Sequence, residues 1–244
     1  MRDEVEAGGA GFHRILLKLS GEALMGTRDH GVDPSIVRHL AGEIASVHES
    51  GIGVAIVVGG GNFYRGLAAA AEGMERATAD YAGMLATLLN SLTVQDALER
   101  RGANTRVVTA ITMAEVAEPF IRRRAIRHLE KNRIVLCAAG TGNPFFTTDT
   151  TAVLRAAEIG AEAVLKATDV DGIYSADPKK DQDAKRYDRL THQEAIERNL
   201  KVMDTTAFAL ARENRMPIIV FSIREKEAIA AVLRGKGRAT VVGT

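Results

Sequence analysis

Three short apolar runs in this chain pass straight into glycine. Residues 14–19, RILLKL, lead to Ser20-Gly21; residues 52–58, IGVAIVV, lead to Gly59-Gly60-Gly61; residues 134–138, IVLCA, lead to Ala139-Gly140-Thr141-Gly142. Apolar runs this short, bounded by turn residues, read as strands buried on both faces. The glycines behind them let backbone N–H groups approach a ligand or turn with φ > 0. Helical patterns separate the runs. That alternation restricts the chain to an α/β architecture, a mainly parallel sheet covered by helices on both faces. In such sheets ligands bind beyond the carboxyl ends of the strands, where all three glycine junctions fall.

The richest junction is residues 138–151, AAGTGNPFFTTDTT. A helical pattern follows it, with Val153, Leu154, Ala157 and Ile159 before Gly160 as a stop. Thr147, Thr148 and Asp149 stand where capping residues are expected, and a helix start offers free N–H groups to an anion. An isolated G-x-G is equally an ordinary capped βα loop. The apolar pair Phe145-Phe146, the hydroxyls of Thr141, Thr147 and Thr148, and the two other glycine junctions favour a nucleotide.

Lys18 ends the first run beside Ser20-Gly21, a second candidate phosphate site; a snorkelling lysine is the alternative. The G-x-x-x-x-G-K-[ST] order of a P-loop is absent. Residues 26–31, GTRDHG, form a turn-rich loop, and Asp33-Pro34 opens a helix with an apolar face of Ile36, Val37, Leu40, Ile44 and Val47. Gly59-Gly60-Gly61 suits a nest of N–H groups for phosphate, and Arg65 could add a charged fork. A long helix is expected over 79–101, with Asp80 near its start, where capping is the plain role. Further expectations are a strand at 104–109, a basic helix at 120–131 and a strand at 163–166. Asp171-Gly172 is a hairpin signal, and 179–189 reads as a charged, lid-like loop. Helices at 193–199, 205–214 and 226–233 and strands at 217–221 and 240–242 complete the chain. Arg122, Arg123, Arg124 and Arg127 of the basic helix read as a solvated or subunit-facing surface, with nucleic-acid binding the lesser alternative.

Composition narrows the function classes. Among 244 residues the net charge is +1, so no global field draws the chain to nucleic acid or an anionic membrane. The single cysteine, Cys137, precludes an internal disulfide. No Cys/His spacing suits zinc, and no apolar run reaches the length of a membrane span. The polar N-terminus MRDEVEAGGAG lacks a signal core and reads as a loose arm over 1–11. A soluble, cytoplasmic protein is expected, with neither membrane nor nucleic acid as partner.

KLSGEAL, VVGGGNFYRG, TGNPFFTTD, KATDVDGIYSADP and KVMD, in this order, resemble the bacterial UMP kinases of the amino-acid kinase superfamily. The likeness runs from about Arg14 to the C-terminus, and TGNPFFTTD is its most specific motif. It implies a three-layer α/β/α sandwich forming one domain over 12–244, with an acceptor part at about 12–160 and an ATP part at about 161–244. It also implies transfer of the γ-phosphoryl of Mg-ATP to UMP in pyrimidine nucleotide biosynthesis, a homohexamer, activation by GTP and inhibition by UTP.

Carried over by motif, Lys18, Leu19, Ser20, Gly21, Gly61, Arg65, Thr168, Tyr174 and Asp177 would meet ATP. Gly60, Asp80, Thr141, Gly142, Asn143, Pro144, Phe145, Phe146, Thr147 and Thr148 would meet UMP. Gly26, Thr27, Arg28, Asp29, His30 and Gly31 would form the GTP segment. Lys18 and Arg65 would stabilise the transferred phosphoryl, with Asp149 holding Lys18 in place. Mg²⁺ would be held by phosphates and water, with Asp204 or Asp149 as an outer partner and no protein ligand named. Two other readings stand beside this one: a kinase of a carboxylate or carbamate, and a nucleotide-binding regulator that has lost catalysis. Phe145-Phe146 and Asp80 suit a nucleoside better than a small acid, and the retention of Lys18, Arg65 and Asp149 argues against lost catalysis.

Overall fold

The computed structural model describes residues 11–66, 71–176, 178, 180–181 and 183–243. The expected arm over 1–11 therefore lies, but for its last residue, outside the described residues, as does Asp177. The strands are β1 (Arg14–Leu19), β2 (Gly53–Val58), β3 (Thr105–Thr109), β4 (Glu118–Pro119), β5 (Ile134–Ala138), β6 (Ala163–Thr168), β7 (Ile173–Tyr174), β8 (Arg186–Tyr187), β9 (Arg189–Thr191), β10 (Ile218–Ser222) and β11 (Ala239–Gly243). The helices are α1 (Pro34–Glu49), α2 (Arg76–Glu99), α3 (Arg122–Glu130), α4 (Thr148–Ile159), α5 (His192–Glu197), α6 (Thr205–Glu213) and α7 (Ala228–Leu233).

Among the described residues nine strands form one sheet in the order β4-β3-β5-β2-β1-β6-β10-β11-β9. All neighbours are parallel except β10 and β11. The sheet is sandwiched as the glycine junctions imply. Because side chains alternate along β1, Ile15, Leu17 and Leu19 pack into one core with Leu40 and Ile44 of α1, Leu88 and Leu98 of α2 and Ile229 of α7. Leu16 faces the other core, with Leu129 of α3, Val153 of α4, Ala195 of α5 and Phe208 of α6. Lys18 falls on that second face, where an apolar residue would otherwise be expected.

The helix starts follow local chemistry. Asp33 caps α1 by accepting from Ser35 N at 2.8 Å, with Pro34 in the first helical position. Thr147 caps α4 through Asp149 N and Thr150 N, and Gly160 ends that helix in the left-handed region at φ 68°. α2 begins before the expected position: Glu75 caps it, accepting from Ala77 and Thr78, so Asp80 is not a cap but sits one turn inside.

The segment after β6 also differs from expectation. Asp171-Gly172 is not a hairpin turn, because the antiparallel partner of β7 is β8, more than ten residues on. Gly172 is required instead by crowding: at φ 156° a Cβ there would stand 2.5 Å from Thr240 Oγ1. Residues 179–189 are not one lid-like loop, since they contain β8 and the start of β9, which pairs with β11 at the sheet edge. β4 and β9 escape a pattern reading because two- and three-residue strands carry no periodicity.

Candidate active site

The carboxyl ends of β1 and β6 bring two lysines together. Lys18 and Lys166 are direct neighbours in the parallel register, and each is 6% exposed. Asp149, in the first turn of α4, reaches both, with Lys18 Nζ at 2.8 Å from one carboxylate oxygen and Lys166 Nζ at 2.7 Å from the other. Lys166 also donates to the carbonyl of Val202. Burial opposes ionisation of Asp149, but the two ammonium groups outweigh it and hold the carboxyl below its usual range. Burial, then the charge of Lys18, lowers Lys166 to about 8, against the opposing pull of Asp149. Lys18 and Asp149 thus meet as the sequence implied. Lys166 was not singled out, although its signal was present: it interrupts the apolar run AVLKAT where Lys18 interrupts RILLKL.

Beside this cluster opens a cavity of about 420 Å³, lined by Gly60, Tyr64, Arg65, Gly66, Arg76, Asp80, Gly83, Met84, Thr87, Gly140, Phe146, Thr147 and Thr148. Of the residues expected at the acceptor, Gly60, Asp80, Phe146, Thr147 and Thr148 line it. Thr141, Gly142, Asn143, Pro144 and Phe145 belong to the same loop but not to the lining. Phe145 is 65% exposed and sits at φ 70°, a left-handed backbone rare for a bulky residue. Its N–H donates to Asp80 Oδ2 at 2.8 Å, and its ring lies 5.7 Å from the Arg76 guanidinium. Arg76 Nε reaches both oxygens of Asp80 at 3.0 and 2.9 Å. Of the Phe145-Phe146 pair, Phe146 alone lines the cavity.

The glycine turns fit closely. A Cβ on Gly60 would stand 2.7 Å from Gly83 O and 2.8 Å from Ala86 Cβ, so the turn seats directly on α2. Ala139, at φ 59°, is held in a strained left-handed backbone by its N–H to Thr87 Oγ1 at 2.9 Å. Arg65 pairs with Glu22 at 2.5 Å, but both groups are largely exposed. Exposed pairs are worth little, so the guanidinium can exchange Glu22 for a phosphate at small cost.

Among the described residues, the others expected at the donor site stand at or just after strand ends. Ser20 Oγ accepts from Ala23 N, capping a short turn of helix. Thr168 ends β6 opposite Ser222. The Tyr174 hydroxyl donates to Asp171 at 2.6 Å. Asp204 caps α6 and accepts from the hydroxyls of Thr147 and Thr150. Gly26 to Gly31 form an irregular loop joined to Asn62 through Gly31. No group of three His, Cys, Asp or Glu among the described residues could hold a metal ion. No helix among them is long and apolar enough to cross a membrane.

Residues 13–222 match the model of the amino acid kinase family. The chain is 59% identical over 236 residues to the uridylate kinase of Paramagnetospirillum magneticum, covering 97% of this chain and 98% of that one. Among solved structures it is similar to UMP kinase from Bacillus anthracis, with TM-score 0.92, 38% identity and coverage of 96% and 97% of the two chains. It is similar also to UMP kinase from Ureaplasma parvum, with TM-score 0.91, 37% identity and coverage of 96% and 99%.

Proposed function

The chain belongs to the amino acid kinase family, and on that premise we propose that it acts as a UMP kinase, carrying the γ-phosphoryl of ATP to the phosphate of UMP to give UDP and ADP. The observation that carries this reading is the juxtaposition of two buried lysines on one carboxylate with a nucleotide-sized cavity containing Asp80. Phosphoryl transfer needs alignment of donor and acceptor and stabilisation of charge on the equatorial oxygens. Lys18 and Lys166 bring two positive charges, and Asp149 neutralises only one, so the cluster keeps net positive charge for the transferred group. Arg65 leaves Glu22 to add a further contact. The acceptor is already an anion, so no strong general base is needed.

ATP lies over the ends of β1 and β6, against Lys18 to Gly21, Gly61, Thr168 and Tyr174, with Asp177 assigned by motif alone. UMP enters the cavity, its ribose hydroxyls on Asp80 and its base and phosphate against the loop from Thr141 to Thr148. The donor set suits Mg²⁺ as a phosphate-bound ion, which keeps water ligands and needs few protein carboxylates. Asp204 or Asp149 would be its outer partner, and the ion when bound would neutralise phosphate charge. The family likeness further supports a cytoplasmic homohexamer, activated by GTP through residues 26–31 and inhibited by UTP.

The test is ADP release with UMP, carbamate or glutamate as acceptor. Turnover with UMP alone supports the proposal. Turnover with carbamate or glutamate in its place points to the acid-kinase reading, and ATP binding without turnover points to a regulator.

A further inference from the structure

The Gly59-Gly60-Gly61 turn ends on Asn62, a residue the phosphate chemistry does not use. Asn62 is 3% exposed, and Asn90 on α2 is fully buried. Their amides face each other as a closed pair: Asn62 Nδ2 donates to Asn90 Oδ1 at 3.0 Å, and Asn90 Nδ2 donates to Asn62 Oδ1 at 2.6 Å. Each amide directs a further hydrogen bond to a different loop. Asn62 donates to the Gly31 carbonyl at 2.8 Å, and Asn90 donates to the Gly59 carbonyl at 2.6 Å. The Gly31 N–H returns to the Asn62 carbonyl at 2.8 Å. The segment after β1 packs on the same point, since a Cβ on Gly21 would stand 2.4 Å from Asn62 Oδ1. Two side chains therefore join the loop 26–31, the start of the donor site, the phosphate turn and α2. In a buried pair with every amide hydrogen engaged, displacing one partner leaves another unsatisfied.

We propose that Asn62 and Asn90 are positioning residues that couple the loop 26–31 to the glycine turn of the phosphate site, so that a ligand rearranging the loop alters the hold on the donor nucleotide. The inference rests on the reading of this chain as an ATP-dependent kinase whose effector segment is 26–31. It supplies what such coupling requires, a physical connection whose state both sites share.

Asn90→Leu is the informative variant, because among the described residues the Asn90 side chain bonds only Gly59 and Asn62 and nothing in 26–31. Hydrogen–deuterium exchange is measured on the ligand-free full chain, and binding of a non-hydrolysable ATP analogue with Mg²⁺ and of UMP by calorimetry. Exchange should rise several-fold both in residues 59–63 and in the loop around Gly31. The ATP analogue should bind about tenfold more weakly, on the scale of one lost buried hydrogen bond, and UMP, whose cavity the turn meets only through Gly60, should be weakened less than the ATP analogue. Faster exchange at 59–63 with an unchanged loop would overturn the coupling, and so would uniform loosening of the whole sheet. If Asn90→Leu does not fold, Asn90→Ser gives the same readout with a smaller change. Failure of wild type to bind the ATP analogue would remove the kinase reading, while the exchange result would still decide the coupling.

Discussion

Lys18 and Lys166 stand opposite one another on adjacent parallel strands, and a single carboxylate, that of Asp149, holds both, at 2.8 and 2.7 Å. Neither lysine snorkels to water; both ammonium groups are fixed at the strand ends where a phosphoryl group would pass. Removing either charge should slow chemistry far more than it weakens acceptor binding. Lys18→Ala and Lys166→Met should each lower kcat by about 10²–10³, the usual cost of one preorganised electrostatic contact. The Kd for UMP should stay within about threefold. Near-normal turnover in either purified variant would contradict the assignment.

The lowered pKa of Lys166, about 8, makes the pH profile diagnostic. Above that value the free enzyme loses a positive charge at the transfer site, so kcat/KM for ATP should fall as pH rises through about 8. Lys166→Arg cannot deprotonate in this range and should flatten that limb, whatever its absolute rate. An identical falling limb in Lys166→Arg would assign the titration elsewhere.

Asp149→Asn should be a stability variant as well as a slow one. It removes the carboxylate that both buried ammonium groups contact and leaves Lys166, among the described residues, only the charge of Asp204, and breaking a buried pair costs about 3–5 kcal/mol. For a chain of this length that corresponds to a Tm lower by roughly 10 °C. The double variant Asp149→Asn, Lys166→Met removes the repulsion and should recover part of the loss in a thermal scan.

A separate pH dependence should appear in stability. His192 is buried and its ring Nε2 faces the Met216 carbonyl at 3.0 Å; burial lowers its pKa. The unfolded chain therefore binds this proton more readily than the folded one. The stabilisation is complete above the ordinary histidine value of about 6.5 and is lost as pH falls below it. Tm measured from pH 8 to 5.5 should fall in wild type and fall less in His192→Leu. Equal slopes would remove His192 as the cause.

Much of this arrangement is written in local sequence. The runs RILLKL and IVLCA coincide with β1 and β5, and the caps Asp33 and Thr147 act as their chemistry dictates. Asp149, the expected partner of Lys18, stands 2.8 Å from its ammonium group. What escaped was relational. Lys166 becomes notable only when β6 is laid beside β1, since a lone lysine in an apolar run has no partner in one dimension. Arg76 looks like an ordinary helix residue until its i+4 neighbour is Asp80 and Phe145 arrives from another loop. Asp171-Gly172 carried the chemistry of a hairpin, but packing against Thr240 fixed its glycine for another reason.

Asp80 should govern recognition of the acceptor sugar. Its carboxylate accepts from Arg76 and Phe145 and lines the cavity. Asp80→Asn should weaken UMP binding and narrow the preference for UMP over dUMP, while the Kd for ATP stays within about twofold. A preference unchanged in Asp80→Asn would place ribose recognition elsewhere.

The most direct measurement is kcat/KM of the wild-type chain for UMP, dUMP and CMP at saturating Mg-ATP. A missing 2′-hydroxyl forfeits a hydrogen bond to the charged, half-buried Asp80 carboxylate, at roughly 1.5–3 kcal/mol, and the amine of cytosine reverses the hydrogen-bond pattern that uracil presents to the threonines. UMP should be preferred over each of the others by about tenfold or more. Equal use of all three would contradict the proposal that this cavity selects UMP as the phosphoryl acceptor.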